Sequence, residues 1–452
     1  MKTHRFKNLL LIKQSPIFVG LFYFTDYMMK KLFLLILFCC TAIVNYAQCD
    51  STKRPIVFIH GFLASGDTYA GQIQRFINTG YCADQLFVFD WNSVSGNGKK
   101  TDSLLSAFIN NVLSHTGAKQ IDLVGHSAGG GLGRGYLIDS ISADKVAHYI
   151  HLGSRKWFYE FNWFKNNRCL NIYSAGDKVI GTIGGNVEGA VNLDLKDKDH
   201  YEVATSEETF EAMYKFLNEG NLPVKGKSKK VTSVQISGKA VLLGDNEPVL
   251  NGLVNIYRLN AKTGTRLSLK PDAIFTINEK GHWGAFTATK KTYYEFELTT
   301  DEKSQRTISY FFEPFTQSNR YVYLRGFPQG NMIGMMLGSL PAKDDQSAIV
   351  VYSANKAMIA GRDSVTVNGI PVSSVTLTPA NKTIISSFIF DDGDGKTTGK
   401  GLKKFSAAPF IGGVDISLPV NKKSGNTIYF NGRKLVLPSA PSKERILLAV
   451  FN

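Results

Sequence analysis

The sequence predicts an α/β domain built on a parallel sheet with helices on both faces, followed by an all-β region that forms a sandwich or a barrel. Between Arg54 and about Leu222, short apolar runs alternate with stretches of helical period. Beyond Val231, β-branched and aromatic residues alternate with polar ones, and turn signals break the text regularly to the chain end. Between the two lies a lysine-rich junction over 221–230, with Pro223, Gly226 and Lys225, Lys227, Lys229 and Lys230.

In the first part, Pro55 to His60, Leu86 to Asp90, Ile121 to Val124, Val146 to Leu152, Leu170 to Ser174 and Ala190 to Leu193 read as strands. Thr68 to Asn78, Ser103 to Ser114, Gly129 to Asp139 and Ser206 to Asn218 carry helical spacing between them. Such strict alternation argues a parallel sheet covered on both sides, with this domain spanning 54–220. The β region, 231–452, is long enough for two modules, with a division near Asp301.

Ahead of both, Lys30 and Lys31, the apolar run Leu32 to Cys40 and Asn45-Tyr46-Ala47 form a secretory signal peptide over 28–47, which places the mature chain outside the cytoplasm, secreted or periplasmic. Residues 1–27 read as a non-native upstream extension before a better start at Met28 or Met29. Gln48 is a poor match for the small residue that precedes a lipidated cysteine, so Cys49 is not read as a lipid anchor. Outside the signal core three cysteines remain, Cys49, Cys82 and Cys169; an odd number argues against a disulfide framework, and a Cys82–Cys169 pair is left open.

The formal net charge of +15 on 452 residues does not choose a function, because the Lys and Arg residues are dispersed. No basic helix interleaved with aromatics and no zinc-finger spacing occurs, so nucleic acid is not an expected partner. Anionic lipid or acidic glycan would suit the sign of the charge equally well.

Chemistry concentrates at Gly125-His126-Ser127-Ala128-Gly129, a GxSxG at the end of an apolar strand. A serine on a tight strand-to-helix turn needs small neighbours two places away so that strand and helix can approach, and the motif therefore points to an acyl hydrolase with Ser127 as nucleophile. Its acid and base are expected later, at strand ends. Asp177, in the loop after Leu170 to Ser174, is the expected acid. His200, after the last strand and before the last helix, is the expected base.

The other histidines fail on position. His126 sits inside the turn, His148 and His151 precede the acid, His115 ends a helix, His282 lies in the β region and His4 in the removed segment. Asp197 and Asp199 stand too close before His200 to orient it, although they are placed to tune it. For the oxyanion, the backbone amides of Ala128 and of Phe62, which follows the His60-Gly61 turn, are the expected donors.

With VFIHGF at Val57 to Phe62, VGHSAGGG at Val124 to Gly131, AGD at Ala175 to Asp177 and HYEVATSEETFEAMYKFL at His200 to Leu217, the chain resembles the α/β-hydrolase lipase superfamily. More narrowly it resembles the archaeal-type lipases with a C-terminal β-barrel domain, to which TGTRLS, GHWGAF and YYEFEL also fit. The resemblance implies hydrolysis of lipid-like esters, lipase or carboxylesterase in kind, with the β domain helping to present acyl chains. It implies no metal and no organic cofactor; the substrate is a lipid or small ester, and a membrane or lipid interface is the partner left to the β region. The long lid insertion of such lipases is missing. Trp157 to Phe164 is the nearest candidate for an acyl-contacting flap, with Trp157, Phe158, Phe161 and Trp163 as candidate substrate contacts; its alternative is a helix packed on the sheet. The triad leaves open an amidase or a polyester depolymerase, and a glycan- or lipid-binding protein with an inactive hydrolase domain is the reading from another class.

Overall fold

The structure is a computed structural model, and it describes residues 49–95, 98–223, 231–300, 306–328, 332–338, 340–421 and 423–452. The expected upstream extension and signal peptide lie outside the described residues, as do most of the 221–230 junction and the division point at Asp301.

Six strands make the first sheet: β1 Ile56–Ile59, β2 Leu86–Phe89, β3 Ile121–His126, β4 Val146–Leu152, β5 Cys169–Tyr173 and β6 Val191–Asp194. All neighbours are parallel, in the order β2-β1-β3-β4-β5-β6. Strand alternation sorts the two faces. Ile56 and Phe58 of β1 join a core with helices α1 Ala70–Asn78 and α6 Glu207–Leu217, through Ile73, Phe76, Phe210 and Met213. Val57 and Ile59 point the other way and meet Leu105, Ile109 and Val112 of helix α2 Gly98–Thr116. A sheet so covered excludes water from both faces, and β1 and β3 are accordingly buried along their length. Three further helices complete this domain: α3 Ala128–Tyr136, α4 Ser140–Asp144 and α5 Glu202–Thr205.

The β region is organised around one eight-stranded sheet that runs from Ile411–Asp415 at one edge to Ala273–Thr276 at the other. Towards one end it packs a three-stranded sheet, burying Ile236, Trp283 and Phe286 against Phe296, Tyr310 and Phe312. Towards the other it packs a four-stranded sheet, burying Val365, Ile428 and Phe430 against Ile349, Val351 and Leu447. Two sandwich cores thus share one open sheet, and the strands flanking the expected division, Tyr294–Thr299 and Thr307–Phe312, pair with each other in it.

Cysteine use differs from the expectation. Cys82 is bonded to Cys49, and Cys169 is a free thiol buried within β5. Asp50 also bridges to Tyr81, so the start of the described chain is tied beside the end of α1, where sequence spacing gave no hint of a partner for Cys49.

Candidate active site

Ser127 sits between β3 and α3 with φ 54° and ψ −120°, a conformation an L-residue holds only when its surroundings enforce it. Close packing enforces it. A Cβ on Gly125 would lie 2.5 Å from the Gly129 carbonyl oxygen, and one on Gly129 would lie 2.4 Å from the carbonyl oxygens of Ile59 and His60. Glycine is therefore required on both sides of the serine, as the spacing argument expects. The Ser127 amide donates to the Leu152 carbonyl at 2.9 Å, and Ser154 Oγ donates to the Ser127 carbonyl at 2.7 Å.

Asp177 follows β5 and His200 follows β6, and the two loops bring them together: His200 Nδ1 donates to Asp177 Oδ2 at 2.7 Å, both side chains being buried. The other carboxylate oxygen accepts from the amides of Val179 and Ile180, at 2.9 and 3.1 Å. Burial pushes the Asp177 carboxyl up, but the hydrogen bond and charge of His200 and these two amides outweigh it, so the group lies below the usual carboxylate value. Ser127 and His200 line one pocket, with Gly61, Phe62, Ala64, His126 and Tyr201. Among the described residues the amides of Phe62 and Ala128 donate to no protein acceptor, and Ser127 Oγ has no hydrogen bond to His200.

The loop carrying the Phe62 amide is held from two sides. His60 Nδ1 donates to the Gly61 carbonyl at 2.8 Å, while its Nε2 accepts from the Trp91 amide at 3.2 Å. Asn246, from the β region, donates to the carbonyls of Ala64 and Trp91 at 2.9 Å each and accepts from Ser65 Oγ at 2.6 Å.

His126 packs rather than reacts. Its Nε2 donates to the His200 carbonyl at 2.9 Å, the rings 4.7 Å apart. Burial holds its pKa down to about 3, that of His151 to about 3 and that of His60 to about 4. All three shifts carry the same sign: below histidine's ordinary 6.5 the unfolded chain takes up protons that the folded one refuses, so stability falls with pH towards those values. Going from pH 7 to 5 is expected to remove ~2 kcal/mol per histidine, ~6 kcal/mol for the three. Thermal denaturation at pH 7 and pH 5 measures it; an unchanged midpoint would contradict neutral burial.

The aromatic run departs from its expected role. Trp157, Phe158, Phe161 and Trp163 do not line the pocket at Ser127. The segment is irregular, neither helix nor flap; Trp157 and Phe161 fill the core under β4, while Phe158 and Trp163 face solvent. The lining that sequence reasoning missed comes from the far end of the chain: Thr383, Ile385 and Phe410 close the pocket, and no local pattern marks them. Asp199, which the sequence sets too close to His200 to orient it, is a buried junction: its Oδ1 accepts from the amides of Tyr201 and Glu202 at the start of α5.

Beside the pocket of Ser127 and His200, sharing Ala64, Tyr201, Ile385 and Phe410 with it, lies a second cavity of about 120 Å³. Phe312, Phe315, Leu337, Val350, Phe388 and Val450 of the β region give it a mostly apolar wall. Its wall also carries the half-buried ion pair of Arg325 and Asp67, at 2.5 Å, in which burial outweighs the arginine charge and pushes the Asp67 carboxyl up.

Three family models match successive parts of the chain: lipase (class 2) over residues 53–155, lipase C-terminal domain over 232–327, and a C-terminal domain model over 338–435. The first spans Phe62, Ser127 and Ala128 and stops short of Asp177 and His200. Solved structures similar to the chain include a Bacillus licheniformis lipase in its mature form, at 18% identity and TM-score 0.31, covering 38% of this chain and 94% of that one. Aspergillus fumigatus lipase B matches at 10% identity and TM-score 0.32, covering 40% and 56%. A Bacillus cereus carboxylesterase matches at 9% identity and TM-score 0.30, covering 38% and 92%. A class 2 lipase match thus falls on the parallel-sheet domain, whose fold is that of α/β hydrolases, and a lipase C-terminal domain match falls on the strands behind it.

Proposed function

We propose that this protein is a secreted serine ester hydrolase that cleaves acyl esters through Ser127, His200 and Asp177. The observation that carries the reading is the buried His200–Asp177 hydrogen bond, at 2.7 Å, on loops that share a pocket with Ser127. Ser127 Oγ attacks the ester carbonyl while His200 Nε2 takes its proton; the amides of Phe62 and Ala128 receive the oxyanion. Collapse of the intermediate expels the alcohol, which takes the proton from His200 and leaves an acyl-enzyme. Water then attacks through the same base and releases the carboxylic acid. Apo catalytic hydrogen bonds are often long and tighten with substrate, which accommodates a serine without its histidine partner here. No step calls for a metal or an organic cofactor.

The apolar cavity next to the pocket favours an acyl chain over a polar acid portion and so supports a lipase or carboxylesterase above an amidase or polyester depolymerase. The Cys49–Cys82 bond suits an oxidising compartment and supports export. The test is a p-nitrophenyl ester series from acetate to palmitate, below and above micelle formation, with fluorophosphonate labelling of Ser127 alongside. Turnover with labelling at Ser127 is expected; faster hydrolysis of longer chains with a rise at the interface marks a lipase, and a short-chain optimum without one marks a carboxylesterase. Absence of both labelling and turnover in folded protein would overturn the reading in favour of a binding protein.

A further inference from the structure

The last part of the β region reaches into the loop that carries His200. Asp199 Oδ2, on the residue next to it, accepts from the Ala357 amide at 3.0 Å and from Arg362 Nη2 at 2.9 Å. The same guanidinium holds Glu202 at 2.6 Å, Asp363 at 2.8 Å and the Ala357 carbonyl at 2.6 Å, so four acceptors fix its position. Lys356, also on this segment, pairs with Asp363 at 2.5 Å. Burial opposes the Arg362 charge, but Asp199, Asp363 and Glu202 more than offset it and raise its pKa. Asp199 thus joins two structures: one oxygen caps α5 behind the histidine, and the other is held by a domain from the far end of the chain.

A second contact comes from the same part. Phe410 stacks on the His200 ring, with centroids 6.1 Å apart and planes 12° apart. Its φ is 63°, a strained value for an aromatic residue, and its carbonyl accepts from the Ile385 amide at 2.9 Å, which helps hold that conformation.

We propose that the C-terminal part of the β region is a working part of the catalytic site, with Arg362, acting through Asp199, as a positioning residue for His200 and Phe410 as the wall that fixes its ring. This rests on the proposed serine hydrolase reading and deepens it. The argument is geometric. Ser127 stands on a turn pinned by glycine packing, whereas His200 stands on a loop, and a displacement of about 1 Å between base and nucleophile costs up to ~100-fold in rate. Removing Arg362 leaves the Asp199 carboxylate buried without its counter-charge, so the loop must shift or admit water to relieve it. The distance in sequence between the two domains then serves catalysis, since a lone hydrolase domain would lack this restraint.

The experiment compares full-length wild type with Arg362→Ala, Arg362→Lys, Asp199→Asn and the double variant Arg362→Ala/Asp199→Asn. A short soluble ester, p-nitrophenyl butyrate, separates kcat from KM, and the rate of Ser127 phosphonylation by a small fluorophosphonate reads the serine–histidine pair without an acyl chain. All rates refer to the folded fraction, established by circular dichroism. Arg362→Ala is expected to lose about 10- to 100-fold in kcat and in phosphonylation rate, with KM within about twofold. Arg362→Lys, which keeps the charge but not the fork, is expected to recover part of the loss. Asp199→Asn keeps the acceptor for the α5 amides but turns an amide donor towards Ala357 and Arg362, so it is expected to fall like Arg362→Ala; it carries the test if the arginine variant does not fold. The double variant is expected to be no worse than the poorer single one. Folded variants with kcat and phosphonylation within twofold of wild type, or with the loss confined to KM, would overturn the proposal. Failure of the wild type itself to be phosphonylated would instead overturn the hydrolase reading.

Discussion

Ser127→Ala is expected to lower ester turnover by about 10⁴- to 10⁶-fold while the protein stays folded. The loss is chemical, because alanine offers no nucleophile, and the amides of Phe62 and Ala128 remain to stabilise only a direct attack by water. The fold should tolerate the change. What Ser127 contributes to its surroundings is backbone: its amide on the Leu152 carbonyl and its carbonyl on Ser154 Oγ, neither of which alanine alters. Alanine at φ 54° is no more strained than serine, and the glycines that hold the turn are untouched. Turnover measured against circular dichroism and a melting curve checks both halves. A folded variant within tenfold of wild type would mean that the nucleophile lies elsewhere.

Asp177→Asn is expected to cost about 10⁴-fold in kcat with little change in KM. The asparagine oxygen can still accept from the Val179 and Ile180 amides, so the loop keeps its shape. Its amino group would then meet His200 Nδ1, which can accept that hydrogen bond only by giving up its proton. The proton moves to Nε2, the atom that must be free to take one from Ser127. Because the native carboxyl lies below the usual carboxylate value, Asp177 is ionised at neutral pH, and the pair contributes stability that is present above the ordinary carboxylate range and lost on acidification through it. Acid destabilisation nearer pH 6 belongs instead to His60, His126 and His151. A kcat within tenfold of wild type for folded Asp177→Asn would remove Asp177 from the triad.

How much of this was legible in the sequence follows from the range of the forces involved. The strands and helices of the first domain are set by local period: the apolar run in PIVFIH fixes which side chains face each core, and strand boundaries differ from the expected ones by a residue or two, while α2 begins five residues before its expected start and α3 ends three before its expected end. Chain order also reaches Ser127, Asp177 and His200, because parallel strands deliver their following loops to one edge of the sheet. The aromatic run Trp157 to Phe164 misled because composition records apolarity and not direction: half of it fills the core and half faces solvent. The Cys49–Cys82 bond escaped notice because pairing depends on where the end of α1 brings its chain, not on the count of cysteines.

By itself, then, the sequence determined the parallel-sheet domain, the glycine-flanked serine and the loops after β5 and β6 on which Asp177 and His200 stand, all consequences of short-range sterics and periodicity. Only the tertiary structure decided what surrounds them. Two sandwich cores on one shared sheet bring Asn246 to the loop that carries the Phe62 amide, Arg362 to Asp199 and Phe410 to the ring of His200. Those contacts join residues far apart along the chain, so their energies leave no local pattern to read; they exist because burying the apolar faces of both domains puts these side chains within reach of one another.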